Sequence, residues 1–362
     1  MMRAQDEFET ILRSPLYSWL EQFIPKSDSE TVELSHYTTL DGLMGVMTSG
    51  CIFASDLRFM NDPTEFTYGR DLLVEQWRQL QCGTCSNAPS VVVRVAEAAL
   101  ESLSGTSFPF TTFVACFTEA PDSLSHWRGY GGVDGVSISL DLDIREFNSI
   151  GRRETLSSCN ALAPEVTLLR PVLYDRTEQG FMLEEVLKVW VNAASAADSS
   201  YFGGGPGTDE LLFASFIETV SPVISFLKSP DYADEREWRL VKIVDVQRVL
   251  EHTEAVARRR SGISHDGLQV LRKQDLVSRG RVCIELDEPP NVDLLFRTTR
   301  RGIVPYVKVP LVSAQGGTPV PRIKRVTLSP TFAGTGDDLV VPLRAHRQWD
   351  VPVMGSKVPY RD

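Results

Sequence analysis

The sequence predicts an α+β fold. Three observations point there: short apolar strand-like runs arrive in hairpin-like succession, amphipathic helical stretches cluster between them, and no internal repeat divides the chain. With 362 residues, 42% apolar and 23% charged, the chain can bury one large core and is neither disordered nor fibrous in composition. The expected layout is a helical extension over 1–30 followed by a single domain over 31–362, with 251–362 as its C-terminal completion.

Taken in order, Phe8, Leu12, Leu16, Leu20 and Phe23 recur at helical spacing over 7–24 until Pro25. Ser14 and Pro15 suit a cap and a first helical position, so this stretch is either one kinked helix or two short ones. A strand from Val32 to Thr38 leads into a helix whose Leu40, Leu43, Met44 and Met47 share one face, closed by Gly50. In Asn61-Asp62-Pro63-Thr64-Glu65, Asp62 fits an N-cap, Pro63 the first helical position and Glu65 the third. Asp62 and Glu65 are therefore assigned mainly to capping, and Asn61 is kept for ligand contact.

A helix over Val91–Leu103 and a strand over Thr111–Phe117 follow, then a short helix and turn over Pro121–Tyr130 and the alternating strand Gly135–Leu142. A further strand is expected at Val166–Tyr174, with helices at 179–197 and 208–228. The intervening Gly203-Gly204-Gly205-Pro206-Gly207 lacks the Lys-Ser/Thr of a phosphate-binding loop and follows no strand, so it reads as a flexible connection. Glu235–Val244 is a charged lead-in to a central strand. Its two-residue period puts Glu237 and Arg239 on one face and Trp238 and Leu240 on the other. Beyond it a helix is expected at 265–277, strands near 279–286, 303–312 and 321–328, and a helix near 336–348.

Charge narrows the function. The formal net charge is -11, but 251–362 carries 18 Lys+Arg against 12 Asp+Glu, leaving 19 against 36 in 1–250. An acidic body with a mildly basic tail argues against wrapping duplex nucleic acid, and the basic runs Arg258-Arg259-Arg260 and Arg300-Arg301 read as solvated faces. Six scattered cysteines fit reduced thiols. Cys82-Gly-Thr-Cys85 has no second pair with which to hold zinc, and no metal site is expected. No apolar leader or membrane-length apolar run is present, so the expected location is the cytoplasm, without a membrane partner.

Four polar and aromatic clusters stand beside apolar runs: His36-Tyr37-Thr38, Asn61–Glu65, Ser123–Tyr130 and Glu235–Arg239. Packing alone does not place a histidine, carboxylates and Trp-Arg pairs at strand ends, and together they read as a nucleotide pocket built from distant segments. Taken singly, His36 also fits a hydrogen-bonded core histidine, Glu237 and Arg239 an ion pair at a sheet edge, and Trp238 a core residue.

These stretches resemble the bacterial domain-of-unknown-function family 2971. The resemblance rests on Leu34-Ser35-His36-Tyr37-Thr38, Ser49-Gly50, Asn61-Asp62-Pro63-x-Glu65-Phe66, Cys116-Phe117-Thr118, Trp127-x-x-Tyr130 and Val136-Ser137-Ile138. It continues through Lys228, Glu235-x-Glu237-Trp238-Arg239, Gly302–Tyr306, Ile323–Pro330 and Ser356-x-x-Pro359-Tyr360-Arg361. That label carries no activity. The pattern His36-Tyr37-Thr38 followed by Gly50-Cys51-Ile52 is also similar to the opening of ADP-ribosyltransferases. This second resemblance implies a split mixed or antiparallel sheet with flanking helices and NAD as substrate, with a macromolecular acceptor, protein or nucleic acid.

By position, the resemblance implies His36 at the NAD ribose and Glu237 as the catalytic carboxylate, with Tyr37 beside them. Thr38, Asn61, Ser123, Trp127 and Tyr130 would line the NAD site. Arg239 or Arg128 would neutralise the pyrophosphate. The family's Ser-Thr-Ser strand has only a distant counterpart in Ser137-Ile138-Ser139. A carboxylate near the ribose suits the chemistry, because breaking the nicotinamide–ribose bond develops positive charge. The expected function is an NAD-consuming ADP-ribosyltransferase or NAD glycohydrolase acting as a toxin or defence effector. The alternatives are a catalytically silent nucleotide-sensing module and a nuclease in which Asp62, Glu65, Glu235 and Glu237 gather magnesium.

Overall fold

β1 (Thr31–Thr39) opens the fold and runs directly into α1 (Leu40–Ser49). The Thr39 side chain accepts the Gly42 N–H as N-cap, and Gly50 ends the helix in the left-handed region (φ 66°), its N–H donating to the Val46 carbonyl. The chain continues through β2 (Cys51–Asp56), α2 (Thr64–Cys82), α3 (Ser90–Ser102), β3 (Phe110–Thr118), β4 (Gly135–Asp143), β5 (Ser149–Ile150) and β6 (Val166–Pro171). After α4 (Arg176–Tyr201) and α5 (Thr208–Ile224) come β7 (Glu237–Asp245), β8 (Leu295–Thr299), β9 (Gly302–Pro310), β10 (Ile323–Leu328) and β11 (Val353–Gly355). This computed structural model describes residues 31–60, 64–83, 87–103, 110–132, 134–150, 166–201, 208–245, 294–299, 302–311, 323–346 and 351–359.

The α+β expectation holds, with a mixed open sheet and helices packed against it. Three arms meet on β3. Along one edge β3 pairs with β7 over nine positions, from Phe110↔Asp245 to Thr118↔Glu237, and β6 and β5 extend that arm. The opposite edge is shared by two strands. β1 touches it at Ser35↔Thr118 and carries β4, β10 and β11, the last of these parallel to β10. β2 touches it at Ser55↔Val114 and Asp56↔Phe113 and carries β9 and β8. β1 and β2 therefore diverge from one strand, and the sheet forks between them. The strands β8 and β9 extend the β2 arm, and β10 and β11 extend the β1 arm.

Period-two alternation sends side chains to two cores. Val114 on β3 and Val241 and Ile243 on β7 join Leu73, Trp77, Ala96, Trp190 and Phe216 of α2–α5. Phe113, Ala115, Phe117 and Leu240 face the other way, with Leu43 and Val46 of α1. Burying a large aliphatic or aromatic side chain in either core contributes about 1.5–3 kcal/mol.

Some boundaries differ from expectation. The strand expected over Val166–Tyr174 ends at Pro171, where a ladder donor is lost. The helix expected over 208–228 ends at Ile224, just after Pro222; Leu227 instead makes a parallel bridge with Leu173. The helix expected near 336–348 is a 3-10 turn (Gly336–Leu339) followed by a short helix (Val340–Ala345). The helix over 7–24, the loop over 203–207, the helix over 265–277, the strand over 279–286, Cys85 and the basic runs at 258–260 and 300–301 lie outside the described residues.

Candidate functional site

The fork opens into a cleft of about 670 Å³, inside the range typical of small-ligand sites. His36, Tyr37 and Thr38 of β1, Cys116 and Thr118 of β3, and His126, Tyr130, Glu235 and Glu237 all line it. His36, Tyr130 and Glu237, spread over some two hundred positions of the chain, thus share one cavity.

His36 sits where β1 leaves β3. Its Nδ1 lies 2.8 Å from the Cys116 carbonyl, which can only accept, so Nδ1 carries the proton and Nε2 is left as an acceptor. Burial, opposed by that carbonyl and assisted by Arg297, lowers the His36 pKa from its ordinary value of 6.5, and the ring is neutral at pH 7.

Below it lies a buried ionic cluster of three carboxylates and two cations. Lys228 Nζ is 2.6 Å from Glu235, 2.9 Å from Glu237 and 3.2 Å from Glu65. Arg239 spends its donors on Glu237 (2.8 Å from Nε), on the Ser225 carbonyl (2.7 Å) and on Glu65. Burial pushes the Glu237 carboxyl up, but Arg239 and Lys228 outweigh it and hold the group at about 2, so it is charged throughout the physiological range. Counting formal charges, the cluster is negative by one.

The two glutamates differ in what they have left to offer. Glu237 takes Arg239 Nε on one oxygen and Lys228 and Arg239 Nη2 on the other, and the Cys116 thiol also donates to it. A carboxylate has about four acceptor positions, and all are in use. The Cys116 thiol is held well above its ordinary pKa, by burial first and Glu237 second, and so remains a donor. Glu235 gives one oxygen to Lys228, while among the described residues its other meets only the Tyr130 hydroxyl at 3.4 Å, long for such a bond. That oxygen is open to a ligand. Its backbone is pinned by the Thr118 hydroxyl, which donates to the Glu235 carbonyl at 2.7 Å. Between the glutamates stands Arg236 (φ 42°), among the described residues the sole non-glycine with positive φ. Backbone held in a sparsely populated region at such a place is costly and persists because its surroundings fix it.

Tyr37 braces the cleft. Its hydroxyl donates to the Ala120 carbonyl (2.9 Å) and accepts the Ser123 N–H (2.9 Å), so it has no proton to spare for catalysis and its part is positional. Its ring stacks on His126 (4.9 Å) and meets Trp127 edge-on (4.7 Å). The wide helical turn Trp127–Gly131 needs its last glycine, because a Cβ there would stand 2.5 Å from the Trp127 ring.

Residues 126–240 match a family model described as a protein of unknown function, DUF2971. No curated protein and no solved structure matches the chain. The segment matching DUF2971 spans His126, Tyr130, Lys228, Glu235, Glu237 and Arg239, which is the acidic wall apart from Glu65; His36 and the β2–β9–β8 wall lie outside it.

Not every expected site residue faces the cleft. Arg239 does not line it: the residue is 1% exposed and its guanidinium makes four hydrogen bonds to Glu237, Glu65 and the Ser225 carbonyl, so burial and these partners hold it away from a pyrophosphate. Trp127 is buried behind Tyr37 with its indole N–H on Asp122 (2.7 Å). Ser123 contributes its backbone N–H to Tyr37 and lies off the cleft lining, as does the exposed Arg128. Ser137 and Ser139 are buried within β4, the latter bonded to the Ser35 hydroxyl at 2.9 Å. Asn61 and Asp62 lie outside the described residues.

Two residues carry more than the sequence suggested. Glu65, which fitted a capping position, is an ion-pair partner of both Lys228 and Arg239; its apolar surroundings at Phe66 and Leu73 were the available hint. Arg297 also lines the cleft, from β8, whose short and mostly exposed run Leu295–Thr299 carries no alternating pattern to mark it.

The histidines and Glu237 set a pH dependence. His36 and His126 both have folded pKa values lowered chiefly by burial, so as pH falls through about 6.5 the unfolded chain takes up protons that the native state refuses. Stability is expected to fall progressively below pH 6.5, and again below 4.5 as the Glu237 contribution, present above that value, is lost on the way to about 2. Urea unfolding from pH 8 to 4 checks this, with His126→Asn reducing the slope between pH 7 and 5. A profile equally steep in the variant contradicts the assignment to His126.

Proposed function

We propose that the cleft binds NAD and that the protein cleaves its nicotinamide–ribose bond, passing ADP-ribose to a macromolecular acceptor or to water. The observation that carries this reading is the convergence of His36, Tyr130, Glu235 and Glu237 on one cavity of small-ligand size. As the bond breaks, its electron pair leaves with nicotinamide and the ribose becomes cation-like; the acceptor's lone pair then closes on the anomeric carbon and the acceptor's proton is released to solvent. A wall with one excess negative charge, shielded from water, favours that developing cation. Glu237 anchors the charge. Glu235, with an open oxygen, is the group placed to accept a ribose hydroxyl, and neutral His36 offers Nε2 for another. The rings of Tyr130 and His126 provide faces for the nicotinamide.

The nuclease alternative is less well supported, because Glu65, Glu235 and Glu237 converge on the Lys228 ammonium, which already occupies the position a magnesium ion would take. The test is chromatographic measurement of nicotinamide released from NAD, with protein, single-stranded nucleic acid or no added acceptor. Release insensitive to EDTA is expected. Binding of NAD without release under every condition would turn the assignment to a nucleotide sensor, and EDTA-sensitive cleavage of nucleic acid would turn it to a nuclease.

A further inference from the structure

The cleft has two poles. Its carboxylates Glu235 and Glu237 stand where β7 meets the Thr118 end of β3. Arg297 belongs to the other arm, and its Nη2 donates to the hydroxyl of Ser55, the residue paired with Val114. Val114 and Thr118 are four residue steps apart on β3, roughly 13 Å along the strand. Among the residues lining the cleft Arg297 is the sole lysine or arginine. The nearby cations Lys228 and Arg239 are neutralised by carboxylates, whereas among the described residues no carboxylate lies within ion-pair range of Arg297. Its guanidinium is held from two sides, by the Ser55 hydroxyl at 2.6 Å and over the Tyr306 ring at 5.8 Å. A planar donor fork with its charge unspent, fixed at one end of a cleft whose other end is anionic, is suited to a phosphate.

We propose that the Arg297 end of the cleft is a phosphate subsite, and that it sets the direction in which a nucleoside diphosphate lies: phosphates on Arg297, glycosidic end toward Glu235. This rests on the nucleotide reading of the cleft and replaces Arg239 with Arg297 as the pyrophosphate partner. The reverse orientation would set phosphate against an excess negative charge, so the poles select one direction.

The experiment is calorimetric titration of the full chain with ADP, with adenosine and with inorganic pyrophosphate, for wild type, Arg297→Gln and Arg297→Lys. Wild type is expected to bind ADP at least tenfold more tightly than adenosine. Arg297→Gln is expected to lose at least tenfold in ADP and pyrophosphate affinity while keeping adenosine affinity and melting temperature, with Arg297→Lys in between. A reduced dependence of ADP affinity on salt in the glutamine variant is the second readout. If Arg297→Gln binds ADP as tightly as wild type, the subsite is wrong and the NAD reading stands on its own test of nicotinamide release. If wild type binds none of the three and releases no nicotinamide, both fall.

Discussion

Glu235→Gln is expected to bind NAD within a few-fold of wild type and to release nicotinamide about 100-fold more slowly, or worse. The amide keeps the shape of the side chain and an oxygen for Lys228, 2.6 Å away, so the cluster keeps its geometry. What disappears is the negative charge of a carboxylate that has one strong internal partner, Lys228, and one long contact, Tyr130. Removing a single preorganised electrostatic contact from a transition state commonly costs 10²–10³ in rate, about 2.7–4 kcal/mol. Equilibrium titration of NAD set beside single-turnover release separates the two quantities. A variant releasing nicotinamide within threefold of wild type would transfer the catalytic part away from Glu235.

Glu237→Gln is expected to act on the fold before it acts on chemistry, lowering stability by about 3–5 kcal/mol. Glu237 is 5% exposed and receives Arg239 and Lys228 together. Without its charge, Arg239 keeps only Glu65 as a carboxylate partner in a site with almost no water. The cost comes from a buried guanidinium that loses one of its two carboxylate partners more than from one lost hydrogen bond, so replacing both members by apolar residues, Glu237→Leu with Arg239→Met, is expected to recover at least half of the loss. Urea denaturation of the single and double variants measures this. A single-variant loss below about 1 kcal/mol would mean that solvent reaches the cluster and screens it.

These two glutamates also illustrate what a sequence reveals. Strand period placed Glu237 and Arg239 on one face, and the structure has them bonded there, because period two is a local property of the backbone. Gly50 announced the end of α1 for an equally local reason, a left-handed cap. For Glu65 the spacing from Asp62 and Pro63 gives a structural role at a helix start, but its ion-pair partners Lys228 and Arg239 lie more than 160 residues away, out of reach of any spacing rule. Tyr37 and Arg239 had suitable chemistry for a ligand, but their polar atoms were already spent on Ala120, Ser123, Glu65 and Ser225. Arg297 escaped notice because its value lies in what it does not touch. The sharing of one β3 edge by β1 and β2 depends on long-range register, which side-chain patterns constrain only weakly.

That shared edge has a mechanical consequence. The β7 seam of β3 is stitched over nine residue pairs, whereas the β2 seam is held by two and the β1 seam by one. Displacing β2 from β3 would therefore break fewer ladder pairs than displacing β7, and on the forked side the packing of side chains, rather than backbone pairing, carries the attachment.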